Sequence, residues 1–127
     1  MNKILVGTVI GVLASALAGT VAVAQQTEEV RVEASRVVKT VTTKGVSGME
    51  IVDMSLSYGV SYAGLDLKTH AGAMELERRL NSAARKACKE LGRQYPDSTP
   101  GDAECAKAAA EKPLARAHEL EAAAARN

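Results

Sequence analysis

The 127-residue chain contains no phenylalanine, no tryptophan and only three tyrosines, Tyr58, Tyr62 and Tyr95. Base-stacking platforms and aromatic-lined ligand pockets are therefore not expected. The core has to be assembled from Ala, Val, Leu, Ile and Met, which bury modest area per residue. An excess of one charge is also missing: 16 Lys and Arg face 15 Asp and Glu, a formal net charge of +1. That balance removes the electrostatic case for a nucleic-acid partner. The length allows one small domain. No phosphate-cradling loop is present, and Gly45-Val46-Ser47-Gly48 lacks the glycine spacing of a nucleophile elbow. Without a convergent acid, base and nucleophile, the chain reads as a non-enzyme with no cofactor and no small-molecule ligand.

What is present begins with an export signal. Met1-Asn2-Lys3 is a short basic start, Ile4 to Ala24 carries no charged residue, and Ala22-Val23-Ala24 offers small residues to a signal peptidase. These are the three parts of a secretory signal peptide, with cleavage expected after Ala24. The 21-residue uncharged run is long enough to span a membrane as an anchor. Gly7, Gly11, Ser15, Gly19 and Thr20 dilute it, however, and no basic stop-transfer cluster follows. No cysteine lies at the cleavage point, so lipid attachment there is excluded. Cleavage would leave residues 25–127, with zero net charge, in the periplasm or secreted.

Export changes the meaning of Cys88 and Cys105, the only two thiols. An even count in an oxidising compartment is read first as one structural disulfide. Closing a loop of this size stabilises a fold by ~3 kcal/mol in the chain-entropy model. A redox-active pair or a metal site are the alternatives. The first normally uses Cys-x-x-Cys spacing, and the second wants four close ligands, for which only His70 and His118 are available besides the thiols.

Residues 25–29 read as a disordered start. A β-hairpin is expected over 30–62. In its first strand Val30, Val32 and Ala34 alternate with polar residues, and a phase slip at Val37-Val38 predicts a bulge or bend. Lys44 to Gly48 supplies a turn. Val52, Met54, Leu56, Tyr58, Val60 and Tyr62 then share one face in strict alternation. From Thr69, a plausible N-cap, the period changes: Ala73, Leu76, Leu80, Ala84, Ala87 and Leu91 form one stripe and predict a helix over 70–91. Gly92 is placed as its left-handed C-cap and 92–101 as a loop. Asp102 is expected to cap an Ala-rich helix over 102–125 that Pro113 kinks or splits. The fold class is thus α+β: an antiparallel β-hairpin followed by an αα-hairpin whose helices one disulfide joins.

Three blocks resemble the UrcA family of exported proteobacterial proteins. They are Val60-Ser61-Tyr62-Ala63-Gly64-Leu65-Asp66-Leu67, then Thr69-His70-Ala71-Gly72 with the following Leu76 to Leu80 and Ala83 to Cys88 runs, and Cys105 opening an Ala-rich segment. The similarity spans roughly residues 52–116. Gly64 stands where the family more often has Asp, and His70 where it often has Pro. The resemblance implies export, a small compact fold and a cysteine pair; it implies no catalytic residues.

The candidate interaction surface is a basic stripe, Arg78, Arg79, Arg85, Lys86 and Lys89, facing an acidic partner protein or anionic lipid headgroups. The preferred reading is a solvated helix face with Glu75–Arg79 as a local pair and with acidic neighbours elsewhere in the chain. Asp66 and His70 could pair across a turn, and His118, flanked by acids, reads as a surface residue. The expectation is a small envelope protein, non-catalytic and acting through contacts with an unidentified protein in the cell envelope. Strand addition to the exposed edges of the two-stranded sheet is its natural binding mode. The alternative is a periplasmic redox or metal-handling protein using Cys88 and Cys105.

Overall fold

A computed structural model describes residues 28–42 and 48–127. The signal segment 1–24, residues 25–27 and most of the expected turn, 43–47, lie outside the described residues. The order is β1 (Glu29–Thr42), β2 (Gly48–Ser61), α1 (His70–Gln94) and α2 (Asp102–Arg126), the α+β arrangement expected. β1 and β2 pair antiparallel in one unbroken register from Glu29↔Ser61 to Thr42↔Gly48. Both helices pack on one face of this two-stranded sheet, α1 across both strands and α2 over β1.

The sheet's core face carries Val30, Val32, Ala34 and Val60, closed by Leu76, Leu80, Ala84, Ala87 and Leu91 of α1 and by Ala109, Ala110 and Ala117 of α2. Met54, Leu56, Tyr58 and Tyr62 pack half-buried at its margin. The helix stripe read by period therefore supplies the largest core side chains. Alanines at the helix–helix contact let the two backbones approach without aromatic filler.

Several expectations are corrected. The bulge at Val37-Val38 does not form, because the register runs straight through both residues. What looked like a phase slip is Arg36 occupying a core-facing position, 3% exposed. The start is ordered at residues 28–29: Glu29 opens β1, and the Glu28 carbonyl accepts from the Tyr62 amide at 2.8 Å. Gly92 is not a C-cap. α1 continues to Gln94 and ends at Tyr95, whose amide donates to the Leu91 carbonyl at 2.8 Å. A Cβ on Gly92 would collide with the Arg36 Nη1 and come within 2.7 Å of the Asp102 Oδ1. Close approach of the Arg36 and Asp102 side chains, not backbone conformation, is what glycine accommodates there.

Thr69 caps α1 as expected, its Oγ1 accepting from the Gly72 amide at 3.0 Å. Asp102 does not cap α2: Gly101 is the N-cap, with no side-chain hydrogen bond, and the Asp102 carboxylate turns to Arg36. Pro113 does not split α2. The helix runs through it with the proline ring buried, since the alanine-rich flanks favour helix and tertiary packing offsets a cost of about 3 kcal/mol.

Candidate functional site

The Cys88–Cys105 disulfide is formed, with a Cα–Cα separation of 5.8 Å, and its cysteines are 0% and 2% exposed. It joins late α1 to early α2 beneath the surface. While paired, the sulfurs offer no thiolate for metal binding or nucleophilic attack. A formed, buried disulfide marks a chain that matures outside the reducing cytosol. Among the described residues no helix is long and apolar enough to cross a membrane.

Among the described residues, Arg36 is the buried charge. Its Nη2 donates to Asp102 Oδ1 at 2.6 Å and its Nη1 to Ser98 Oγ at 3.3 Å, while its Nε has no partner. Ser98 in turn donates to the Tyr95 carbonyl at 2.6 Å. One residue on, Val37 exchanges two backbone hydrogen bonds with Thr99, at 2.8 and 2.9 Å. The α1–α2 loop is thereby laid along the outer edge of β1 and covers it there.

The outer edge of β2 is different. The Tyr62 amide bonds to the Glu28 carbonyl, so by antiparallel alternation Val60, Tyr58, Leu56 and Met54 point their backbone groups at β1. Ser61, Gly59, Ser57, Ser55 and Asp53 point theirs outward. Along that row, among the described residues, one group bonds to another part of the chain: the Ser61 carbonyl accepts from Arg79 Nη1 at 3.0 Å. The usual protections of an edge are missing, since β2 contains no Lys, no Arg, no Pro and no bulge. Ile51 is 61% exposed near its other end.

Beside this edge runs α1. Tyr58, Gly59 and Val60 with Arg78, Arg79, Ser82, Ala83 and Lys86 line a groove of about 360 Å³. Lys86 Nζ sits 5.0 Å from the centre of the Tyr58 ring, a cation–π distance that ties the helix to the strand. The five basic residues singled out from sequence therefore separate. Arg78 and Arg79 share one carboxylate, Glu75, each at 2.8 Å. Their hydrogen bonds hold the Glu75 carboxyl down at about 2, Arg78 contributing most. Arg85, Lys86 and Lys89 form no ion pair among the described residues. The expected acidic neighbours are consequently local ones on α1 itself, Glu75 for Arg78 and Arg79, and Glu90 for Arg93.

Asp66 and His70 do not pair. The Asp66 carboxylate accepts from the Lys68 amide at 3.0 Å, closing the turn before α1. His118 is exposed as expected, but its Nε2 lies 3.0 Å from Glu77 Oε1 on the other helix. Glu77, His118 and Glu121 hold their ligand atoms within 4.8 Å of one another. Sequence reading missed Glu77 and Glu121 as partners. The antiparallel register set by Cys88 and Cys105 carries the signal, because Glu77 lies 11 positions before one cysteine and His118 13 after the other.

Compared with known families, characterised proteins and solved structures, the chain finds no match.

Proposed function

We propose that this chain is an exported binding protein, non-catalytic, that adds an extended acidic segment of another polypeptide to the free edge of β2. The observation that carries this reading is the groove between that edge and α1, with the backbone of Gly59 on one wall and Arg78, Arg79 and Lys86 on the other. Backbone groups of Ser55, Ser57 and Gly59 supply the hydrogen bonds of a third strand. The cations set the charge of the occupant: two arginines against the single Glu75, with Lys86 beyond them, favour acidic side chains.

The signal-like segment, the resemblance to UrcA proteins and the disulfide support export. Intact mass of the secreted protein tests it, with Gln25 expected at the N-terminus. Burial of Cys88 and Cys105 favours a staple over a redox pair.

The binding mode is tested in cells by a photoreactive side chain at residue 57, on the β2 edge, and separately at residue 33, on β1. Capture of an acidic segment from 57 and not from 33 is expected. Equal capture from both, or from neither, contradicts the reading. Capture of a second copy through its own β2, which carries Glu50 and Asp53 and no base, would make the occupant the chain itself.

A further inference from the structure

We propose that Glu77, His118 and Glu121 form a zinc site that clamps α1 to α2. The site is independent of the β2 edge. His118 and Glu121 are three positions apart on α2, so they stand on one face a turn from each other. Glu77 reaches them from α1. The His118 Nε2 to Glu77 Oε1 distance is 3.0 Å, and all three ligand atoms lie within 4.8 Å of one another.

Two features of this trio call for a cation. Glu121 Oε1 is buried without a hydrogen-bond partner, although a carboxylate oxygen removed from water requires a donor or a counter-charge. A second carboxylate, Glu77, lies beside it, and like charges at this separation disfavour each other. His118 offers a single ring nitrogen to the pair and is already engaged with Glu77. A divalent ion between the three satisfies both carboxylates and leaves the imidazole as a neutral nitrogen ligand.

The donor set selects the metal. One imidazole nitrogen with two carboxylate oxygens suits zinc, whereas calcium and magnesium prefer all-oxygen shells. Zinc bonds of roughly 2.0–2.2 Å set tetrahedral ligand separations near 3.4 Å, so side-chain rotation of about 1 Å completes the shell. Three protein ligands leave one coordination position open to water.

The placement gives the metal a mechanical role. Glu77 precedes Cys88 by 11 residues and His118 follows Cys105 by 13, which is roughly 16 Å and 20 Å along the respective helices. The disulfide therefore fixes the αα-hairpin near its loop, and the metal fixes it toward the open end.

The test uses the mature, disulfide-bonded protein without a histidine tag. Zinc chloride should bind one ion per chain by calorimetry and raise the unfolding midpoint by roughly 10–20 °C when held a hundredfold above Kd. Magnesium and calcium chloride should leave the midpoint unchanged. His118→Ala and Glu121→Gln should each weaken zinc binding at least tenfold, and His70→Ala should preserve it. Glu121→Gln keeps the side chain's shape, so loss of binding there reads the ligand and not the fold. Absence of zinc binding up to about 100 µM, or binding that survives both His118→Ala and Glu121→Gln, would overturn the assignment.

Discussion

Arg36 on β1 donates from Nη2 to Asp102 Oδ1 at 2.6 Å, joining the first strand to the first residue of the second helix. The two environments are unequal, with Arg36 3% exposed and Asp102 62%. The arginine is desolvated by the fold while the aspartate remains partly hydrated. Its cost is met by Asp102 and Ser98, and by Gly92, whose missing side chain leaves room for the guanidinium.

Removing Asp102 strands a buried charge. Asp102→Ala should destabilise the protein by about 1–3 kcal/mol in urea unfolding. Gly92→Ala should also destabilise, although alanine favours helix over glycine by about 1 kcal/mol, because the added methyl meets Arg36 and Asp102. A stabilised Gly92→Ala variant would contradict this account of the glycine.

The disulfide substitutes for bulk in a core without phenylalanine or tryptophan. The Cys88→Ala, Cys105→Ala double variant should lose about 2–4 kcal/mol, read as a shift in denaturant midpoint. Leu76→Ala and Leu80→Ala, each at fully buried positions, should each lose about 2–5 kcal/mol.

Glu75 should titrate well below the ordinary carboxylate range. Its folded pKa is lowered to about 2 from an ordinary 4.5, chiefly by the Arg78 hydrogen bond and then by Arg79. The sign follows from linkage: a carboxylate with a depressed folded pKa stabilises above its unfolded pKa, and that contribution fades as pH falls from about 4.5 toward 2. Carbon-detected NMR titration should show this midpoint, and Arg78→Ala should move it upward.

Much of the architecture was legible because it rests on periodicity. Val52 to Tyr62 alternates strictly, and Leu76, Leu80, Ala84, Ala87 and Leu91 recur at helical spacing; both elements form, α1 running on to Gln94 past the end its stripe predicts. Three of the misreadings, at Val37-Val38, Gly92 and Asp102, share one cause, a local signal overruled by a distant partner. Arg36 breaks an apolar alternation unless Asp102, 66 positions away, is known to meet it. Gly92 and Asp102 look like caps when each is read with its neighbours alone, yet both serve the same ion pair. The groove was half visible: its cations were named from sequence, whereas its other wall depends on which backbone groups of β2 face away from β1.

Strand addition is tested most directly by amide hydrogen exchange with a synthetic peptide of alternating valine and glutamate. The account predicts that the Ser55, Ser57 and Gly59 amides, exchanging freely in the protein alone, become protected by this peptide and not by its valine–lysine counterpart. Ser57→Pro, which removes an outward N–H without touching the ladder to β1, should abolish the effect and change stability by less than about 1 kcal/mol. Protection that appears elsewhere, or appears equally with the basic peptide, would contradict the account.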